Sequence, residues 1–251
     1  MGRIIIKTAE EIEAMRYAGQ ILTETLDLLE KSVRIGISTL ELDKIAEDFI
    51  RSHEGCTPGF KGYHGFPGSL CTSINEEAVH GIPSADRILQ DGDIIGLDCG
   101  VYYKGLHTDA CRTVIAGKVS HDIQQFVKVT KESLTQGVKR VKPGGYIGDI
   151  SAAIQDTLER FGYAPVIECT GHGVGHDLHE APEIMNAGRK GTGPRMEPGM
   201  VLAIEPISAM DNGDIRQDED GWTLYTADGS LSAHFEYTVL VTDNGHEILA
   251  K

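Results

Sequence analysis

The stretches GDIIGLD, residues 92–98, and GMVLAIE, residues 199–205, are one pattern written twice. A turn glycine leads into a short apolar run, and a carboxylate closes it, Asp98 in one copy and Glu205 in the other. Further echoes lie in the same order around them. Val33-Arg34-Ile35-Gly36 returns as Val141-Lys142-Pro143-Gly144, and His80-Gly81-Ile82-Pro83 as His179-Glu180-Ala181-Pro182. His107-Thr108-Asp109 returns as His234-Phe235-Glu236, and each copy runs into a strand-like stretch, from Thr113 and from Thr238. Ordered self-similarity of this kind marks a repeated structural unit.

Helical patterns frame both copies. Thr8 to Glu11 is a capping-box signature, followed by apolar residues at helical spacing from Ile12 to Leu29. Ser38 to Glu41 caps a second helix carrying Leu42, Ile45, Phe49 and Ile50, stopped at Gly55. In the second half, Ile123, Phe126, Val127, Leu134, Val138 and Val141 mark one helix, ended at Pro143. Ile150, Ile154, Leu158 and Phe161 mark the next, ended at Gly162. The order predicts an α+β fold in a single domain over 1–251, with pseudo-symmetric halves at about 8–118 and 119–249. Its sheet is shared between the halves, with helices on one face.

Composition narrows the function classes. A hydrophobic content of 40% and a charged content of 24% are ordinary for a globular chain. No run of eighteen apolar residues occurs, so no membrane span is expected. The N-terminus lacks the apolar core of a secretory signal. A net charge of −15 argues against a nucleic-acid-binding surface, which needs clustered cations. Five cysteines without a CxxC pair suggest a reducing compartment, and a cytoplasmic location is expected.

The carboxylates call for a partner. An acid that closes an apolar run can simply face solvent, which is the ordinary reading of either one alone. Buried, it is costly unless paired or bound to a metal. The repeat supplies four such acids, Asp98, Asp109, Glu205 and Glu236, at positions that converge if the halves pair about a two-fold axis. Divalent cations relieve the repulsion, and two ions sharing bridging carboxylates are the natural arrangement. A nitrogen ligand completes such a site. His80 and His179 are mates in the repeat, whereas His172 has no mate, since its counterpart region near Ser73 carries no histidine. That points to His172. The His172–His176 spacing resembles a helical zinc motif, but Gly171, Gly173 and Gly175 disfavour a helix, and that motif also needs Glu directly after its first His. A bend at Gly173–Gly175 turns His176 aside.

In combination these residues resemble the site of type I methionine aminopeptidases. The likeness extends through Gly62-Tyr63-His64-Gly65-Phe66-Pro67, Ser69 to Glu76, His80-Gly81-Ile82-Pro83 and Asp220-Gly221-Trp222, and covers about residues 4–249. The resemblance implies the pita-bread fold, a mainly antiparallel sheet covered by helices. It implies two divalent ions, Co, Mn, Fe or Zn, with Asp98 chelating one, Asp109 and Glu236 bridging, and His172 and Glu205 on the other. Glu205 would also shuttle a proton, His179 would bond the substrate carbonyl and His80 the scissile amide nitrogen. A methionine pocket of Phe60, Tyr63, Phe66, Cys71, Leu178 and Trp222 follows, as does a monovalent cation near Asn75, Glu77 and Ser232. The implied substrate is a nascent polypeptide with a small second residue, met at the ribosome by a monomer. His234, Tyr237 and His176 depart from the family pattern, which touches metal tuning and not the reaction.

Two rivals share the fold. Proline-directed peptidases carry a large extra N-terminal domain and lack the Cys71 and Trp222 contexts. A non-catalytic binding module would have lost its ligands, and all five ligand positions are intact here. Glu205 and Glu236 stand only 31 residues apart, leaving no room for the helical insertion of type II enzymes.

Overall fold

The structure is a computed structural model and describes residues 2–251. Its first half runs α1 (Ala9–Ser32), α2 (Thr39–Arg51), β1 (Cys56–Pro58), β2 (Leu70–Ile74), β3 (Glu77–Val79), β4 (Ile94–Tyr103) and β5 (Leu106–Ile115). The second begins again with two helices, α3 (His121–Val138) and α4 (Ile147–Arg160). Short strands follow: β6 (Ala164–Pro165), β7 (Thr170–Gly173), β8 (Glu180–Met185), β9 (Val201–Ile204) and β10 (Ile207–Ala209). The chain ends with β11 (Ile215–Gln217), β12 (Leu224–Thr226), β13 (Ser232–His234), β14 (Tyr237–Thr242) and β15 (Gly245–Ala250).

The helices start where the sequence signals them. Thr8 and Ser38 each accept from the backbone N–H three residues on, while Glu11 and Glu41 reach back, closing two capping boxes. Each helix pair then buries its apolar stripe on its own strands. Leu22, Leu26, Leu42 and Ile50 pack with Ile95, Leu97 and Val101 of β4. Phe126, Leu134, Ile150, Ile154 and Leu158 pack with Leu202, Ile204 and Val239 of β9 and β14. Burial of such side chains contributes roughly 1.5–3 kcal/mol each, so both halves rest on comparable cores.

Every strand pairing is antiparallel. The shared sheet is more broken than the sequence suggests. β1 and β2 flank one side of β4 and β5 the other, while β15-β14-β9-β7-β8 form a separate five-stranded sheet. The two meet at an isolated bridge between Cys111 and Glu236.

That bridge is the centre of a two-fold seam. Cys111 and Glu236 exchange backbone hydrogen bonds of 3.3 and 2.9 Å. On one side Thr113 Oγ1 donates to the His234 carbonyl and accepts from the His234 N–H. On the other, Thr238 Oγ1 does the same with Asp109. Thr113 and Thr238 are therefore mates, and so are Asp109 and His234, and Cys111 and Glu236. This corrects the sequence echo, which aligns Asp109 with Glu236. The seam is registered by backbone bonds two residues out of step with the spacing of the motifs.

The N-terminal segment folds back on the second half. Lys7 N–H donates to the Gly199 carbonyl, and the buried Lys7 ammonium pairs with Glu180. Gly175 makes room, since a Cβ there would stand 2.2 Å from Lys7 Cε. Among the described residues no helix is long and apolar enough to cross a membrane.

Candidate active site

Asp98 lies within β4, opposite Cys71 on β2 and Cys111 on β5, so these three side chains share a face. Asp109 lies two residues from Cys111 on β5 and faces the same way. From the second half, His172 on β7 stands opposite Ala203, Glu205 follows the end of β9, and Glu236 sits between β13 and β14. All five line one cavity of about 250 Å³, together with His80, His179, Phe60, Tyr63, Phe66, Cys71, Leu178 and Trp222. The structure thus brings together every residue singled out for ligation, catalysis and the methionine pocket.

The donor set faces itself. Donor atoms of Asp109, His172 and Glu236 all lie within 4.8 Å of one another. His172 Nδ1 lies 2.9 Å from the Gly173 carbonyl, which can only accept, so Nδ1 carries the proton. The Nε2 lone pair then points at Glu205 Oε1, 3.3 Å away, and Asp109 Oδ2, 4.0 Å away. Lone pairs so close repel unless a cation or a proton lies between them. Asp98 Oδ1, Asp109 Oδ1 and Glu236 Oε1 are also buried without a hydrogen-bond partner among the described residues. Burial holds Asp98 up at about 7, and burial with the neighbouring acids holds Asp109 and Glu236 well above the carboxylate range. Burial likewise raises Glu205 and holds His172 down at about 3. Neutral nitrogen and unpaired oxygens in one cluster fit a divalent metal.

Tyr63 Oη lies 3.1 Å from His179 Nδ1. With the hydroxyl donating, His179 Nε2 keeps a proton to give. Its ring meets that of His172 at a tilt of 55°, with centroids 4.3 Å apart. Burial lowers His179 from its ordinary value and takes His80 down to about 4, so both rings are neutral near pH 7. His80 holds a left-handed backbone, φ 60°, and strain in a bulky residue is characteristic of functional positions. The next residue, Gly81, packs so closely that a Cβ would sit 2.3 Å from the Thr72 carbonyl oxygen.

The pocket beside these groups is apolar. Phe60, Phe66, Cys71 and Leu178 are buried, with Tyr63 and Trp222 packed against them. Phe66 and Trp222 meet edge to face at 5.1 Å. Burial pushes the Cys71 thiol well up, so it remains a neutral wall. Asn75 and Ser232 are joined through the Asn75 carbonyl and the Ser232 N–H, while Glu77 bonds the Ile74 N–H. His176 lies outside the cavity, 2.9 Å from Glu11.

Sequence reasoning placed His234 only among the departures that touch metal tuning and did not foresee its contact with Glu205. This histidine is buried in the cavity wall with Nε2 3.4 Å from Glu205 Oε2, in a geometry that makes no hydrogen bond. The signal was present in the His107–His234 echo, but only the seam register shows that His234 takes the place across the axis that Asp109 holds. His107, its apparent mate, packs instead on Tyr102, centroids 4.6 Å apart.

Residues 13–243 match metallopeptidase family M24, and the chain belongs to that family. Within it, the methionine aminopeptidase of Clostridium acetobutylicum is 50% identical over 246 residues, 98% of each chain. The crystal structure of methionine aminopeptidase from Thermotoga maritima superposes with a TM-score of 0.97 at 41% identity, covering 99% of this chain and 100% of that one. Likeness of this extent places the chain among the methionine aminopeptidases of the family. Prolidase from Pyrococcus furiosus shares the fold, with a TM-score of 0.80 and 25% identity, but the match covers 65% of its chain against 98% of this one. The fold is the pita-bread fold expected from the resemblance, and the proline-directed alternative is not favoured. A metallopeptidase works with a divalent metal, in agreement with the donor set.

Proposed function

We propose that the protein releases the N-terminal methionine from peptides and nascent chains whose second residue is small. Two divalent ions, drawn from Mn, Fe, Co and Zn, would be held by Asp98, Asp109, His172, Glu205 and Glu236, with Asp109 and Glu236 shared between them. The observation that carries the reading is the opening of an apolar, aromatic pocket directly onto unpaired carboxylates and a deprotonated imidazole nitrogen. Bound metal supplies a nucleophilic water at neutral pH and polarises the carbonyl.

The chain's own groups do the rest. The pocket takes the methionine side chain by dispersion and sulfur–aromatic contact and excludes water from it. Glu205 takes a proton from the attacking water and delivers it to the departing amine nitrogen. His179 Nε2–H donates to the carbonyl oxygen as negative charge develops there, while Tyr63 holds the ring in that tautomer. His80 holds the scissile amide nitrogen in line.

The test is methionine release from Met-Ala-Ser by chelated protein, before and after anaerobic reconstitution with Mn or Co. Release only after reconstitution is expected. Equal inactivity in both states would sink the proposal.

A further inference from the structure

His172 and His179 line two cavities. One is the apolar pocket already described. The other is a groove of about 600 Å³ along β7 and β8. Strand alternation accounts for part of its floor. Thr170 pairs with Met185 and lies two residues from His172, so Met185 faces the same side of the sheet as His172. Ala181, Glu183 and Met185 follow His179 in steps of two, and all three line the groove. Ile4 of the N-terminal segment contributes to the lining as well. β8 is the edge strand of its sheet, so the groove lies at the margin of the fold.

The pseudo-symmetry supplies a second argument. Ser73 pairs with Gly96, two residues before Asp98, and His172 pairs with Ala203, two residues before Glu205. Counting two residues on, Thr170 holds in β7 the place that Cys71 holds in β2. Cys71 lines the apolar pocket and Thr170 lines the groove. The two cavities thus leave the reaction centre along pseudo-equivalent strands. A peptide bond held at that centre sends one side chain into the first. The chain that follows the bond needs a path out past His179.

We infer that the groove binds, in extended form, the substrate residues that follow the scissile bond, from the third onward. This rests on the function proposed above. From His179 to Met185 the floor spans about 20 Å at roughly 3.3 Å per residue, enough for several extended residues. Its character selects among them. Ile4, Ala181 and Met185 are apolar. Of the two glutamates, Glu180 is engaged by buried Lys7, while Glu183 is exposed. Apolar and basic residues are favoured at these positions, and acidic ones disfavoured.

The test compares kcat/KM for Met-Ala, Met-Ala-Leu, Met-Ala-Leu-Lys-amide and Met-Ala-Leu-Glu-amide. Wild-type protein is expected to gain about tenfold from the dipeptide to the Lys tetrapeptide and to prefer Lys over Glu several-fold. Glu183→Lys should reverse that preference, and Thr170→Trp should collapse the tetrapeptide-to-dipeptide ratio. Good turnover of every peptide with no length or charge dependence would overturn the groove while leaving the proposed function standing. No turnover of any of them by metal-loaded protein would overturn the function instead. A second measurement needs no activity. A peptide carrying photoreactive benzoylphenylalanine at its third position should cross-link metal-free protein within residues 181–188. Cross-links confined to Tyr63 and His64 would overturn the inference.

Discussion

The two halves place corresponding side chains around one centre and differ at the positions that give it chemistry. Opposite Gly96 the first half presents Ser73, and opposite Ala203 the second presents His172. At the seam, the place of Asp109 in the first half is held by His234 in the second, and that of Cys111 by Glu236. Only Asp98 and Glu205 are acids in both copies. A strictly symmetric centre would offer matched acids or matched imidazoles. The mixed set gives acids that can span two ions and a neutral nitrogen at one end. Duplication supplies the frame, and the differences at three mated pairs give it the donor set of the proposed metal site.

The most severe way to break this asymmetry is to remove an acid whose mate cannot replace it. Asp109→Ala or Glu236→Ala should reduce calorimetric Mn binding from two ions to one or none and take methionine release below detection. Two intact sites in either variant would contradict bridging. Less severe is the loss of one of the matched histidines. His179→Ala or His80→Ala should lower kcat by roughly 10²–10⁴ with metal content preserved, the range for a lost oxyanion or proton-transfer group. Metal lost in parallel with rate would make them ligands.

A smaller effect separates the helices of the two halves. Nine residues after its cap, α2 carries Glu47, held down at about 2 chiefly by a hydrogen bond from Lys61, with Arg51 adding to it. The same place in α4 is Gln155, which does not titrate. A depressed carboxyl stabilises the fold above its unfolded value near 4.5 and loses that contribution as pH falls toward 2. After allowance for solvent screening this is on the order of 1 kcal/mol. Glu47→Gln should therefore lower Tm at pH 7 and converge with wild type at about pH 2, as followed by thermal melts across that range. A difference that stays constant down to pH 2 would contradict this account. The smallest effect is expected at His176, whose contact with Glu11 is half-exposed. His176→Ala should stay within about twofold of wild type in rate and keep its metal, since exposed ion pairs contribute ~1 kcal/mol or less. Metal loss in that variant would revive a histidine pair at the centre.

Much of this was legible in the chain. The capping boxes at Thr8 and Ser38 and the paired GDIIGLD and GMVLAIE runs are local patterns, and local patterns survive in a sequence. The place of Ser73 as the counterpart of His172 followed from counting along the repeat. Roles for the pocket residues came from resemblance, because Phe60 and Trp222 are far apart in the chain and no spacing joins them. The approach of His234 to Glu205, the groove beside β8 and the Lys7–Glu180 pair escaped notice for a related reason. Each depends on strand register or on contacts across nearly the whole molecule, and Lys7 meets a residue 173 positions away.

The seam between residues 109–113 and 234–238 also bears on how the protein is made. The Asp109 N–H waits for a hydroxyl 129 residues later in the chain. A growing polypeptide therefore carries Asp98 and Asp109 through most of its synthesis without the second-half groups that complete their surroundings. Metal affinity is acquired late and in one step, when the last strands close on the first half. The same coupling runs in reverse. Held by the ligands proposed above, an ion would grip both halves at once and so belong to the folded state alone, adding about 2.7 kcal/mol to stability when present at a hundred times its dissociation constant. With that ligand set, metal supply would set how long each finished molecule survives as well as how fast it works.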